Sequence, residues 1–183
     1  MSGIVGAGAV NNSGIVGKYP TGHILQTVRY TNTTQAASTG NSLVTAISGE
    51  ISLKYATNKI LAHFSTQFVI QTYGGSSNTS GSVYGGFQIV SSGTGVSAEN
   101  HKWGSYTTND GLYGYGFSTG STDEKFIKLL HTAHWYFTPG TTNACAIGLQ
   151  ATGYGDHTMT VNYQGGSTPY FKDSSMVLQE IQI

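Results

Sequence analysis

The six histidines are the side chains of this sequence best suited to bind a transition metal or to transfer a proton. His131 and His134 are three residues apart in "KFIKLLHTAHWYF", and on a strand this spacing places them on opposite faces. His63 lies off the apolar stripe of "ILAHFSTQFVI". The other three fall at predicted loops or strand ends: His23, His101 and His157. Without a His-x-His pattern or a pair of thiolates, we expect polar or interface histidines, no metal site and no cofactor.

Carboxylates could support hydrolysis, since glycosidases use two of them about 5–10 Å apart. The eight acidic residues are dispersed, mostly in predicted loops: Glu50, Glu99, Asp110, Asp123, Glu124, Asp156, Asp173 and Glu180. The sequence contains no Gly-x-Ser-x-Gly, Walker loop or His-Glu-x-x-His. The stretch "GLYGYGF" imitates a nucleotide loop, but no helix pattern follows it. We therefore expect no catalytic residue and no enzymatic activity.

Aromatic residues cluster among glycines and hydroxyl residues in one region: Trp103, Tyr106, Tyr113, Tyr115 and Phe117. A tyrosine offers a flat apolar ring and a hydrogen-bonding tip, which suit a glycan or a protein surface. The same alternation is also typical of a strand whose aromatic rings pack against a face of small residues. Both interpretations stay open.

The 183-residue chain has few charges. Only 9% of its residues are Asp, Glu, Lys or Arg, and eight bases balance eight acids without a run of either sign. This argues against nucleic acid and anionic membranes as partners, because both need clustered Lys and Arg. A nearly neutral, hydroxyl-rich surface favours packing between copies. The single cysteine, Cys145, excludes an intrachain disulfide and lies in the apolar run "NACAIGLQ", which predicts a buried thiol. The opening residues do not resemble a signal peptide, and no window reaches the about 20 apolar residues of a membrane span.

Alternation with a period of two dominates the sequence. Strands are predicted over residues 23–30, 43–53, 60–70, 83–90, 127–137, 145–149, 159–163 and 175–183. The apolar faces comprise Leu43, Ile47, Ile51 and Leu53; Ile60, Ala62, Phe64, Phe68 and Ile70; Ile127, Leu129, Ala133, Trp135 and Phe137; Cys145, Ile147 and Leu149; and Met159, Val161 and Tyr163. Glycine-rich connections and the lack of a sustained helical period indicate an all-β fold. We expect an antiparallel β-sandwich of jelly-roll type.

The last strand is apolar on parts of both faces. In "SMVLQEIQI", Met176 and Leu178 point one way, whereas Val177, Ile181 and Ile183 point the other. Either a central strand or one at a subunit interface explains this pattern. A trimer interface is predicted at Met176, Leu178, Ile181 and Ile183.

The pentapeptide Ser-Gly-Ile-Val-Gly occurs at residues 2–6 and again at 13–17. Each copy carries an apolar pair, Ile4–Val5 and Ile15–Val16, in a segment too rich in glycine for a helix. Residues 1–21 are interpreted as an extended anchoring arm, and residues 22–183 as the jelly-roll body. Twenty extended residues reach up to about 66–72 Å, enough to cross onto a neighbouring protein. A mobile leader with a chance repeat is the alternative.

Four segments resemble the small jelly-roll modules in virion proteins of tailed phages, notably those infecting marine and photosynthetic bacteria. They are "GHILQTVRYTNTT" (22–34), "YATNKILAHFSTQF" (55–68), "AHWYFTPGTTNACAIGLQA" (133–151) and "SSMVLQEIQI" (174–183). The "SGIVG" leader is similar to leaders that precede such modules. The resemblance spans about residues 22–183 and rests on the order and spacing of loose motifs.

The resemblance implies a trimeric, non-enzymatic knob, similar in shape to tumour-necrosis-factor-like heads, within a virion assembled in the host cytoplasm. No heptads or long fibre repeats precede the body, which favours a short peg decorating the capsid by binding the major capsid protein. The alternative is a tail-fibre or tail-tip protein whose aromatic loops contact a glycan or protein of the host surface. A secreted lectin-like or carbohydrate-active protein is a third, more distant class.

Overall fold

The computed structural model describes residues 21–39, 42–72, 85–97, 101–102, 125–153, 157–163 and 173–183. These residues form ten strands, and every secondary-structure element among them is a strand. The strands are β1 (Ile24–Asn32), β2 (Ala36–Thr39), β3 (Val44–Ser52), β4 (Lys59–Thr72), β5 (Gly85–Ser92), β6 (His101–Lys102), β7 (Lys125–Phe137), β8 (Ala144–Gly153), β9 (His157–Val161) and β10 (Ser174–Ile181). Residues 1–20 of the predicted arm and the aromatic cluster of residues 103–117 lie outside the described residues.

Two antiparallel sheets make up the body. The six-stranded sheet has the order β1-β10-β4-β9-β2, with β7 also paired to β4. The four-stranded sheet has the order β3-β8-β5-β6. Apart from β2 and β9, successive strands along the chain lie in different sheets except β5 and β6, which pair within one sheet. The resulting orders β1-β10-β4-β7 and β3-β8-β5-β6 are those of a jelly roll. The predicted all-β sandwich is therefore confirmed.

Strand β4 organises the six-stranded sheet because two strands share one of its edges. β10 pairs with Lys59–Ser65, and β9 pairs with Phe68–Thr72. Between them, the backbone N–H of Asn162 donates to the carbonyl of Gln67 at 3.0 Å. The other edge of β4 pairs with β7 without interruption, from Ile60↔Phe137 to Thr72↔Lys125.

The core lies between the sheets and contains most of the predicted apolar faces. The predicted face of β4 is buried throughout, as is that of β8. The Phe87 ring, from the four-stranded sheet, meets Phe68 of the six-stranded sheet edge-on at 5.0 Å between centroids. The Cys145 side chain is fully buried, as predicted, and burial raises the pKa of its thiol to about 11.

One predicted core residue is exposed. Leu43 is 45% exposed to solvent, whereas Ile47, Ile51 and Leu53 are buried. The pairing of β3 with β8 shifts register between Thr45 and Ile47. A bulge inserts one extra residue, so side chains that precede it point to the opposite side of the sheet from the one that simple alternation predicts. The placement of Leu43 in the core was therefore wrong.

Strands β2 and β6, of four and two residues, were not predicted because alternation is not recognisable over so short a length. In the described part of the chain, no helix is long and apolar enough to cross a membrane.

Candidate functional site

The C-terminal strand lies at the centre of the six-stranded sheet. β10 pairs with β1 on one side and with β4 on the other. Met176 and Leu178 have no exposed surface, because they face the four-stranded sheet. These two residues therefore belong to the core of the chain and have no area left for a subunit interface. Ile181 is 8% exposed and Ile183 is 40% exposed, so the interface prediction remains only for the end of the chain.

The face of the six-stranded sheet that points away from the core is the candidate functional site, and we call it the outer face. The register aligns Val177 of β10 with His63 of β4, and His63 with His134 of β7. The adjacent row aligns Gln179, Leu61 and Tyr136. Two large apolar side chains on β7 are well exposed, Leu130 at 62% and Tyr136 at 46%. Thr132 and His134 lie between them on the same face, so Leu130 is separate from the apolar group of Tyr136 and its neighbour Leu61. A contiguous apolar patch is the feature that is typical of a surface contacting another protein.

The charges within the strands of the outer face are cationic. Arg29, Lys59 and Lys128 are paired with outer-face positions, and the one carboxylate of β1, β10, β4 and β7, Glu180, points into the core. Two of the ammonium groups lie over aromatic rings: Lys59 Nζ is 4.7 Å from the centre of Tyr136, and Lys128 Nζ is 5.4 Å from that of Tyr163. Such contacts hold the cation against the sheet. The centre of the outer face has no permanent charge.

The outer side of the four-stranded sheet has a different composition. Its β8 positions Ala144, Ala146 and Gly148 are small. Gln88 and Gln150 hydrogen-bond to each other across β5 and β8 at 2.6 Å. Exposed large apolar side chains also occur outside the six-stranded sheet, at Leu43 just before β3 and at Tyr55 in the connection between β3 and β4.

Glu180 is a buried acid that motif searching missed. It has no exposed surface, and its Oε1 accepts hydrogen bonds from Asn58 Nδ2 at 2.6 Å and from the Lys54 N–H at 2.8 Å. Its Oε2 accepts from Gln26 Nε2 at 2.8 Å. The two-residue alternation of the last strand indicated this burial, because residue 180 shares the face of Met176 and Leu178. The three neutral donors give this carboxylate a structural role, tying β1 and the β3–β4 connection to β10.

The histidines of β7 occupy opposite faces, as their spacing predicted. His131 points inward, and its ring stacks on Phe87 at 4.0 Å with an interplanar angle of 1°. Burial lowers the pKa of His131 to about 4. His134 points outward and faces His63, with ring centroids 6.4 Å apart. The sequence placed His63 away from the core but could not reveal this pairing. Across the described ranges, His, Cys, Asp and Glu form no cluster of three or more that could hold a metal ion.

Comparisons with known proteins give distant structural matches only. No family model and no curated protein match the sequence. A solved structure of infectious bursal disease virus, Gx strain, aligns over 86% of this chain and 38% of its own, with 14% identity and a TM-score of 0.36. The infectious bursal virus derived T=1 particle aligns over 87% and 37%, with 14% identity and a TM-score of 0.41. A CocE/NonD family hydrolase from Staphylococcus aureus aligns over 81% and 33%, with 6% identity and a TM-score of 0.33.

The chain thus spans less than two fifths of the length of these proteins. The matches include both virus particles and a hydrolase, so they do not select a function. The strand order, not these alignments, defines the class: the chain is a jelly-roll β-sandwich.

Proposed function

We propose that this chain is a non-enzymatic structural protein of a tailed-phage virion, a homotrimeric jelly-roll peg that decorates the capsid. Residues 1–21 attach the peg to the major capsid protein, and the outer face joins the three copies. The observation that carries the proposal is the apolar, centrally uncharged outer face on a jelly-roll body.

Self-association follows from the surface that each copy exposes. Leu130 and Tyr136 are 62% and 46% exposed, and burying a large apolar side chain contributes about 1.5–3 kcal/mol. Leu61 and Val177 lie half-buried in the adjoining strands and extend the same surface. The permanent charges are at strand ends and on the outermost strand β1, so the centre of the outer face can pack without burying an unpaired charge.

The association state of paired variants tests this surface. Leu130→Lys places a charge on the outer face, whereas Leu43→Lys places one at a residue of 45% exposure outside the six-stranded sheet. In sedimentation equilibrium we expect trimers for the parent chain and Leu43→Lys, and monomers for Leu130→Lys with an unchanged circular dichroism spectrum. A monomeric parent at all accessible concentrations would refute the trimer.

Attachment through the arm is tested by deleting residues 1–20. The body should still fold and associate, while its binding to particles that lack the protein should be lost. Equal binding of the truncated and full-length chains to those particles would show that the arm is not the anchor.

A tail-tip role is the second candidate, supported by the aromatic residues of the stretch 103–117. In that case Trp103→Ala or Tyr115→Ala should reduce adsorption to host cells and leave particle assembly intact. Labelling of the protein on intact particles distinguishes capsid decoration from a tail-tip role, because decoration places the label on heads and receptor binding places it on tails.

A further inference from the structure

A pair of histidines lies at the centre of the outer face. His63 and His134 lie directly opposite each other on β4 and β7, and both side chains are exposed. Their ring centroids are 6.4 Å apart and their planes are inclined by 43°. Neither imidazole forms a hydrogen bond with the described part of the chain, so their nitrogens are open to a ligand.

We propose that His63 and His134 together bind one divalent transition-metal ion, of the Zn²⁺ or Ni²⁺ type, on the surface of a single chain. Imidazole is a preferred ligand of these ions, and waters complete the coordination when the protein supplies fewer groups than the metal requires. The site extends beyond the proposed structural role and needs no second copy, since both ligands belong to one sheet of one chain. It lies on the face that the proposed trimer covers, so it is tested in a chain that does not associate.

The distance between the rings matches bidentate binding. With metal–nitrogen bonds of about 2.0–2.1 Å in a tetrahedral arrangement, two imidazole centroids lie about 5 Å apart. The observed separation of 6.4 Å is therefore within reach of small rotations about the side-chain torsions, with the backbone unchanged.

The strands hold the two ligands in register. β4 and β7 are paired without a shift from Ile60↔Phe137 to Thr72↔Lys125, so the histidines cannot separate unless the centre of the sheet opens. A fixed pair loses little entropy on chelation, because the chain has already brought the ligands together.

The surroundings permit a cation. The neighbouring row places Ser65 opposite Thr132, two small hydroxyl residues that leave room for coordinated water. Arg29 is the cationic residue of the histidine row, and Val177 separates it from His63. Two strand spacings put Arg29 about 10 Å from His63, where solvent and salt largely screen its charge.

Isothermal titration of full-length Leu130→Lys, whose outer face is uncovered, with ZnCl₂ or NiCl₂ at neutral pH tests the site, and this variant is the parent of the histidine substitutions below. We expect one ion per chain for the parent, and at least a tenfold loss of affinity for His63→Ala and for His134→Ala. His23→Ala, which removes an exposed histidine just before β1, is the matched control and should bind as the parent does. Because a ligating imidazole must be neutral, acidification should weaken binding by the parent.

A second measurement does not depend on how well the alanine variants fold. Paramagnetic Ni²⁺ should selectively broaden the imidazole NMR signals of His63 and His134 in the parent chain, while the inward-facing His131 stays sharp. The proposal is overturned by a parent that binds no ion, by affinity that survives both substitutions, by an equal loss in His23→Ala, or by broadening at other histidines alone.

Discussion

The Glu180 carboxylate accepts a hydrogen bond of 2.6 Å from the Asn58 side-chain amide, and both residues are at most 1% exposed. Glu180 lies on the central strand β10, whereas Asn58 lies in the connection between β3 and β4. The backbone of Asn58 also donates to the Tyr55 carbonyl at 3.0 Å, which closes that connection into a turn. This one acid therefore ties β10 to the segment in which the chain crosses from the four-stranded sheet to the six-stranded sheet.

Replacing Glu180 with Gln should destabilise the fold. One carboxylate oxygen becomes an NH₂ group, which must face a donor: either Gln26 Nε2, or Asn58 Nδ2 and the Lys54 N–H. We expect a loss of about 2–4 kcal/mol in the free energy of unfolding, from the missing charged hydrogen bond and the unsatisfied donor. Urea denaturation measures it, with Glu50→Gln on the exposed side of β3 as a control that should stay within about 0.5 kcal/mol of the parent. Equal midpoints for the two variants would contradict the role of Glu180.

Both the side chain and the backbone conformation of Asn162 should contribute to the stability of the fold. Its φ is +53° and its side chain is fully buried, with Nδ2 donating to the carbonyls of Thr34 (2.9 Å) and Ala46 (3.1 Å). Asn162→Ala should cost about 2–4 kcal/mol, because it removes these two hydrogen bonds and the one that Oδ1 accepts from the buried Ser174 hydroxyl at 2.6 Å, and it keeps the unfavourable φ.

Asn162→Gly loses the same hydrogen bonds but relieves the backbone, so it should be about 1 kcal/mol more stable than Asn162→Ala. Thermal or urea unfolding of the two variants measures the difference. An alanine variant as stable as the glycine variant would mean that the positive φ contributes nothing.

Gly49 is required by a ring that lies on it. A methyl group at Gly49 would overlap the Tyr30 ring, whose hydroxyl donates to the Glu50 carbonyl at 2.5 Å. Gly49→Ala should therefore displace Tyr30 and cost about 1–3 kcal/mol. Gly148→Ala is the matched control, since its nearest neighbour would be the Ile47 carbonyl at 3.4 Å. If Tyr30 is the obstacle, Gly49→Ala should have little effect in a Tyr30→Ala background, and an undiminished effect there would point to another cause.

His131 should make stability depend on pH in a defined window. Burial lowers its pKa from 6.5 to about 4, so the unfolded chain binds the proton more tightly than the folded chain. The stability that depends on neutral His131 is complete above pH 6.5 and is lost as the pH falls toward 4. His131→Phe keeps a ring against Phe87 and removes the titration. Urea midpoints measured from pH 7 to 4 should fall more steeply for the parent than for this variant. Parallel curves would show that His131 does not cause the pH dependence of stability.

Particular residues show how far the sequence could predict the fold. The stripe of β4 was predicted in full, because a long strand buried on one face repeats its pattern over many residues. Leu43 was misplaced because a single bulge reverses facing without a recognisable sequence signal. Met176 and Leu178 were assigned to an interface because alternation shows that a face is buried and does not show what covers it.

The sequence by itself determined that the chain is all-β, that Cys145 is buried, and that His131 and His134 face opposite ways. These features depend on the two-residue period of a strand, which is local. Only the tertiary structure decided that β9 and β10 share one edge of β4, that Glu180 reaches Asn58, and that His63 meets His134. These relationships depend on the register between strands far apart in the chain, and register is fixed by the packing of all the strands together.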